Sequence, residues 1–246
     1  MTFVEAIISG IVQGVTEFLP VSSSGHLVIF HRLIGLKEPQ LLFDIFLHVG
    51  TLAAIFIVFW HDIVEIFSSR KKSGLYIVLG TIVTGIFVLI FGKSIEAVFV
   101  KPWLVGIMLV ITGLWLILAR FIRFSTGSIT GGKAMIIGLA QAIAALPGIS
   151  RSGVTISTGL FLGMSPEAAA RFSFLLSIPA IIGAFLFKIR GADLAGLSIN
   201  YFIGFVISCI VGVFSLKLLL KVLHRNKFHF FGIYCIVVGL FVWMAL

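Results

Sequence analysis

Charge is what this sequence lacks. Asp, Glu, Lys and Arg make up 11% of its 246 residues, against 60% for the apolar types, where a soluble domain carries about 25% charged residues. That shortage excludes a large water-soluble core and leaves a membrane protein with several spans, each needing roughly 20 apolar residues. Acid is scarcer than base: nine Asp and Glu face eighteen Lys and Arg, a formal charge of +9. In a soluble protein that excess would raise nucleic acid as a partner. Here many of the bases fall in short loops between apolar runs, as at Arg70-Lys71-Lys72 and Arg120 to Arg123. Positive-inside topology and contact with anionic lipid require that pattern, so the partner read from it is the bilayer and not nucleic acid. Cysteine is nearly missing. Cys209 and Cys235 lie within apolar runs, which argues against a disulfide or thiolate metal site and for two buried thiols. The stretch Met1 to Glu5 has no basic n-region, so the first helix is expected to stay in the mature chain.

What is present stands out against that background. Between Gly10 and His26 the apolar pattern is broken by Gln13, Thr16, Glu17, Ser22, Ser23, Ser24 and His26. An ionisable group in a membrane helix costs roughly 2.5–3.5 kcal/mol on insertion scales, so such groups are functional candidates. Residues 3–19 read as a helix that stops at Pro20, with Ser22 or Ser23 capping a second helix to about Ile34. Both are short for a full span and together predict a re-entrant hairpin over 3–34, with the serine loop lining a wet cavity. Spans are predicted at about 42–60, 75–92 and 102–119. A second broken pair is predicted at about 133–146 and 150–163, within a re-entrant segment 133–163. Further spans are predicted at about 172–188, 201–221 and 229–245. Trp60, Trp103 and Trp243 lie near span ends, where an aromatic belt is expected.

The chain repeats itself. Gly10-x-x-Gln13 returns as Gly138-x-x-Gln141, Leu19-Pro20 as Leu146-Pro147, Ser22-Ser23-Ser24-Gly25 as Ser150-Arg151-Ser152-Gly153, and Phe43 as Phe172. The fold class predicted is therefore an all-α polytopic membrane protein. It has six transmembrane helices and two re-entrant hairpins, in one membrane domain of two inverted repeats, 1–119 and 132–246. With the first hairpin and both termini outside, the loops at 61–74, 120–133, 164–171 and 217–228 are cytoplasmic and carry eleven Lys and Arg, in keeping with the positive-inside rule.

Gln13 and Glu17 are four residues apart and share a helix face. The break at Pro20 brings Glu17, the serines and His26 towards one point. A carboxylate and a histidine there suit general acid–base work, nucleophilic attack or metal binding. The second half supplies no acid, since Ala145 aligns with Glu17. It brings Gly148, Ser150, Arg151, Ser152, Gly153 and Thr155 instead. Glycine lets backbone approach a ligand, a helix N-terminus offers free N–H groups, and arginine offers planar paired donors. Together they describe an oxyanion or phosphate cradle, to which Ser22 and Ser24 also contribute. Asp44, His48 and Thr51 follow helical spacing and either line the same cavity or form an interfacial polar face. Glu5, Asp62, Glu65, Glu96 and Asp193 are read as solvated near span ends, with His61, His224 and His229 interfacial.

Gln13-Gly-Val-Thr-Glu17-Phe-Leu-Pro-Val-Ser-Ser-Ser-Gly-His26 and Pro147-Gly-Ile-Ser-Arg151-Ser-Gly-Val-Thr155 resemble the two signature regions of the undecaprenyl-diphosphatases, the bacitracin-resistance family of membrane phosphatases. Phe43 to Thr51 and Phe172 to Pro179 extend the match over essentially the whole chain. The resemblance implies hydrolysis of undecaprenyl diphosphate to the monophosphate carrier of cell-wall precursors. It also implies a bacterial inner-membrane location, a site open to the extracytoplasmic face, and a divalent cation, Mg or Ca. Gln13 stands where some members have a carboxylate, so Glu17 and Gln13 are the metal ligands expected here. The expected catalytic residues are Glu17, Ser23, His26 and Arg151. The nucleophile is left open among Ser23 with His26 beside it, His26 itself, and water. A homodimer is one assembly open to such a chain.

Two rivals fit part of the pattern. Broken helices in an inverted repeat also mark transporters and flippases of polyprenyl phosphates, but a pure carrier has no need of Glu17, Ser23 and His26 together. Ser24-Gly25-His26 echoes acid-phosphatase-like lipid phosphatases, yet their upstream Lys/Arg-Pro signature and later histidine–aspartate pair are missing. The orientation has a direct check: a cysteine engineered near Lys71 is expected to resist labelling from outside intact cells, and labelling there would reverse the layout.

Overall fold

The computed structural model describes residues 1–36, 40–99, 101–122, 126–190, 198–224 and 227–245. In chain order its helices are α1 (Phe3–Thr16), α2 (Ser23–Leu33), α3 (Leu41–Val58), α4 (Trp60–Ser68), α5 (Lys71–Phe99), α6 (Pro102–Leu118), α7 (Gly131–Ile143), α8 (Arg151–Phe161), α9 (Pro166–Ile189), α10 (Ile199–His224) and α11 (His229–Ala245). A 3-10 turn, Ala119–Phe121, extends α6.

Two prolines decide where the broken pairs open. A proline ring clashes with the carbonyl four residues earlier and has no N–H to donate. α1 ends at Thr16 and α7 at Ile143, each four residues before its proline. The chain then turns, and a serine restarts it. Ser22 Oγ accepts from the Gly25 N–H to cap α2, and Ser150 Oγ from the Gly153 N–H to cap α8. At ~1.5 Å per residue, α1 and α2 reach only about 21 and 16 Å, less than the roughly 30 Å hydrocarbon layer.

Among the described residues five helices are long and apolar enough to cross a membrane: α3, α5, α6 with its 3-10 extension, α9 and α10, at mean hydropathies of 2.0 to 2.4. α11, with 17 residues, is a shorter apolar helix, as are α1 and α7. This is an all-α polytopic membrane protein. Large apolar side chains such as Leu89, Phe214, Phe241 and Met244 point outward, which only a lipid surround makes favourable. The buried centre is built on Phe18, Phe59 and Phe174; the Phe174 ring of α9 lies 5.7 Å from that of Phe18 and 5.8 Å from that of Phe59, just past the end of α3.

The helices meet at small residues. Gly106 and Gly113 of α6 face Gly239 and Gly232 of α11 in an antiparallel pair; a Cβ on Gly106 would come within 2.7 Å of both the Gly239 carbonyl and the Trp243 nitrogen. α1 runs parallel to α10, with Gly10 against Gly204 and Ile207, and α7 runs parallel to α5, with Gly138 against Gly80. Thr84 Oγ1 donates to the Gly138 carbonyl at 2.8 Å and fixes the second contact.

Two segments read as loops are helical. Residues 61–74 contain α4, whose apolar side chains recur at helical spacing. The stretch 164–171 contains the start of α9, where Ser165 caps and Pro166 occupies the first turn. Asp62 is not solvated. It is buried and ion-paired to Arg171 and Arg70. Glu5 closes a capping box with Thr2 and Glu96 pairs with Lys188; Asp193 and the His224 side chain lie outside the described residues.

Gly106→Val tests the α6–α11 contact. Overpacking against backbone costs about 1–3 kcal/mol. The variant is expected to unfold several degrees below wild type in detergent, and an unchanged midpoint would show that this crossing does not limit stability.

Candidate functional site

The two breaks touch. Ser22 has a left-handed backbone (φ 69°) that L-residues other than Asn and Asp seldom adopt. Two hydrogen bonds hold it there, because its Oγ accepts both the Gly25 N–H that it caps and, at 3.1 Å, the Gly148 N–H of the other break. Gly148 is itself at φ 97°, and a Cβ there would meet the Val105 carbonyl at 2.5 Å. Thr112 of α6 braces the second turn by donating to the Gly148 carbonyl at 2.9 Å and accepting from the Ser150 N–H at 3.0 Å.

This junction carries Glu17 and Arg151 to each other. Glu17 caps the end of α1 and Arg151 opens α8, and Arg151 Nη2 donates to Glu17 Oε1. The carboxylate is buried, with 5% of its side chain exposed. Its other oxygen, Oε2, accepts from Ser23 Oγ at 2.5 Å and from Gln13 Nε2 at 3.1 Å, with His48 Nε2 3.5 Å away. Gln13 is completely buried and also reaches Thr51 at 3.5 Å. The guanidinium of Arg151 lies 6.0 Å over the Phe174 ring, a cation–π contact that holds its plane.

Among the described residues, two polar atoms of this cluster have no partner. Arg151 Nη1, a donor, and Gln13 Oε1, an acceptor, are both buried and make no hydrogen bond. Buried polar atoms are normally satisfied. One unmet donor asks for an anion, and one unmet acceptor for a donor or cation.

His26 is not brought to Glu17. Its Nδ1 donates back to the Ser22 carbonyl at 2.8 Å, which leaves Nε2 to accept from the Tyr234 hydroxyl at 2.8 Å, and the two rings stack. The Ser23–His26 pairing expected from spacing is replaced by Ser23–Glu17. The reason is local: His26 lies one turn above Ser22, and its ring folds onto the same Ser22 carbonyl that accepts its backbone N–H. The histidine at the carboxylate is His48, whose Nδ1 donates to the Asp44 carbonyl at 2.7 Å. Its spacing with Thr51 was the available signal. Asp44 faces elsewhere, 3.8 Å from His31.

Most of the expected phosphate cradle is committed to structure. Ser150 caps α8, Ser152 Oγ donates to the Leu19 carbonyl, and Thr155 Oγ1 bonds Ser173 at 2.5 Å and the Arg151 carbonyl at 2.7 Å. The Gly148 and Gly153 N–H groups are taken by Ser22 and Ser150. Ser24 is half-buried with only a long contact to Ser22. Both cysteines are free, and Cys235 Sγ lies 3.6 Å from the Pro20 carbonyl. Among the described residues no three His, Cys, Asp or Glu side chains cluster to hold a metal.

Fold and site together define an integral membrane protein with a buried carboxylate–hydroxyl–guanidinium centre built from two broken helices. Residues 6–241 match the family model described as bacitracin resistance protein BacA, and the chain belongs to that family. It is 43% identical over 251 residues to the undecaprenyl-diphosphatase of Carboxydothermus hydrogenoformans, covering 97% of this chain and 95% of the relative. Its identity to the undecaprenyl-diphosphatase of Desulfatibacillum aliphaticivorans is 41%, covering 100% and 99%. That of Treponema denticola is 42% identical, covering 98% and 96%.

Thr112→Val tests the brace behind the site. It keeps the shape but strands the Gly148 carbonyl and the Ser150 N–H, at about 1–3 kcal/mol for each buried group. A fall in unfolding midpoint of several degrees is expected, with Thr112→Ser near wild type; equal midpoints for all three proteins would remove Thr112 from the account.

Proposed function

We propose that this chain is an undecaprenyl-diphosphatase, releasing phosphate from undecaprenyl diphosphate and returning the monophosphate carrier to cell-wall synthesis. The observation that carries this reading is the unmet Nη1 of Arg151 beside a Glu17–Ser23 hydrogen bond. A phosphoryl group placed on that donor lies next to a hydroxyl already bonded to a base. A guanidinium N–H makes a charge-assisted hydrogen bond to phosphate and suits the charge of the transition state.

Ser23 is the nucleophile in this reading, with Glu17 as its base. As Ser23 Oγ forms its bond to the terminal phosphorus, the proton passes to Glu17 Oε2 and the bond from phosphorus to the bridging oxygen breaks, leaving undecaprenyl phosphate. Glu17 hands that proton to the bridging oxygen as it leaves; water then attacks the phosphoserine phosphorus, and Glu17 takes the water's proton and returns it to Ser23 Oγ as the bond from phosphorus to Oγ breaks, releasing phosphate. In the substrate-free protein Arg151 spends Nη2 on Glu17. The incoming phosphate takes the free Nη1, so the ion pair also holds the arginine in position. Gln13 and His48 orient the carboxylate from its far side.

The donors fit a divalent cation. Mg²⁺ is held by one or two carboxylates together with substrate phosphates and water, whereas Ca²⁺ takes about six to eight oxygens. Glu17 and the unpartnered Gln13 Oε1 would hold it, which favours Mg²⁺. When bound it would neutralise charge on the diphosphate.

Further parts of the reading concern topology. The halves 1–119 and 132–246 form an inverted repeat, with re-entrant pairs α1–α2 and α7–α8. Its support is the matched packing of α1 on α10 and α7 on α5, and the reciprocal glycines of α6 and α11. The site opens to the extracytoplasmic side of the bacterial inner membrane. A polyprenyl-phosphate carrier built on the same repeat is not favoured, because transport has no use for a base bonded to a buried hydroxyl.

The test is phosphate release from undecaprenyl diphosphate by purified protein, with Mg²⁺ or Ca²⁺ and with chelator. Glu17→Gln, Ser23→Ala and Arg151→Ala are each expected to lower kcat by at least about a hundredfold, the scale of losing a proton acceptor or a transition-state donor, and chelator to stop wild type. His26→Ala is expected to retain more activity than Ser23→Ala. A folded Ser23→Ala variant with wild-type kcat, or the absence of a phosphoenzyme under rapid quench during turnover, would replace Ser23 by water.

A further inference from the structure

A groove of about 660 Å³ lies away from the Glu17–Arg151 cluster, between α3, α4, α5 and α9. Its walls are apolar, with Phe56, Ile66, Ile77, Ile82, Leu175 and Pro179 among them, and its charged lining residue is Lys71. The volume is in the range of roughly 300–1,000 Å³ found for ligand pockets.

Three observations define its occupant. The first is charge. At the Lys71 end, Asp62 is paired to Arg70 and Arg171, and Glu65 to Arg70 and His61. The carboxylates there are already spoken for. No carboxylate among the described residues pairs with Lys71 or Lys72, and both are exposed. The second is depth. α4 presents Trp60 and Val64 outward, both exposed, while Ile63, Ile66 and Phe67 line the groove. An amphipathic helix of that kind lies in the interface plane, which sets Lys71, three residues after α4 ends, at headgroup level. The third is length. The groove follows α5 from Lys71 to Ile82, a rise of about 16 Å, and that is close to half of the roughly 30 Å hydrocarbon layer. A cationic mouth at the headgroups above an apolar channel one leaflet deep matches a lipid of that leaflet.

We propose that this groove is a binding site for one anionic phospholipid, its phosphate held by Lys71 and an acyl chain laid along α5 and α9. The site does not depend on the phosphatase reading, since none of its residues belongs to that machinery. Bound lipid would fill the space between α4, α5 and α9 and tie the interfacial helix to the spans beneath it.

Native mass spectrometry of protein released from nanodiscs of defined phosphatidylglycerol and phosphatidylcholine content tests this. Wild type is expected to keep a single phosphatidylglycerol adduct in preference to phosphatidylcholine. Lys71→Gln is expected to reduce that preference about fivefold, the effect of one interfacial lysine on anionic lipid. Thr81→Trp, which fills the channel, is expected to abolish the adduct with either lipid. Lys71→Gln changes an exposed side chain, so its result stands even if Thr81→Trp folds poorly. Equal retention of the two lipids by wild type, or an unchanged preference in Lys71→Gln, overturns the proposal. A wild-type adduct of undecaprenyl phosphate that phosphatidylglycerol cannot displace overturns it in favour of a product site.

Discussion

A guanidinium and a carboxylate, separated by 134 positions in the chain, share a site with little access to water. Everything around them serves that meeting. Each charge alone would be costly at this depth, and removing one partner of a buried pair typically costs about 3–5 kcal/mol because the other charge is left behind. The pair forms because two helices stop short at their prolines and their turns interlock through the Ser22 hydroxyl and the Gly148 N–H. Thr112 holds the second turn from α6, and α6 is held in turn by α11 at four glycines. Packing far from the charges thus fixes the distance between them. The same geometry leaves one nitrogen of the arginine free, so the interaction that stabilises the empty site also prepares it for an anion.

The two halves contribute unequally despite their repeated sequence. The first supplies a carboxylate, a hydroxyl and an amide; the second supplies a guanidinium and turns built to hold it. Ala145 at the position aligned with Glu17 is consistent with this division, since a second carboxylate would compete with the first for Arg151. Gln141 has a structural role instead, bonding Thr84 on α5 at 3.3 Å, while Gln13 faces the carboxylate. One residue type in the same repeat position has therefore been used once for packing and once at the site.

Much of this was legible in the sequence. Polar residues in an apolar chain located the site, and proline followed by serine located the breaks. The repeat linked Glu17 to a region containing Arg151. Spacing failed where a side chain had two targets within reach. His26 and His48 are both one or two turns from polar neighbours, and nothing in their spacing says that the first folds onto the Ser22 carbonyl and the second turns to Glu17. The residues expected to cradle phosphate show a related competition. Serine and threonine at helix starts bond backbone as readily as ligand, and here caps and turns use most of them. The burial of Asp62 could not be read locally, because its partner Arg171 lies on a helix more than a hundred residues away. The signal for α4 was present, since Trp60, Ile63, Val64 and Phe67 follow the helical period, but a charged segment between spans reads more readily as loop.

The spent hydroxyls bear on how such a site keeps its shape. Free donors in a membrane cavity would have to be satisfied by water or by each other, and a half-satisfied network costs more than an apolar wall. In this protein the hydroxyls close the backbone at both turns, leaving two side-chain atoms of the cluster unpaired, Arg151 Nη1 and Gln13 Oε1. Binding is thereby concentrated on one donor and one acceptor, held by groups that do not need to move. Under the proposed reading a phosphate would meet Nη1 through a charge-assisted hydrogen bond, roughly twice as strong as one to a neutral lipid headgroup. The discrimination between them follows from what the turns have already used up.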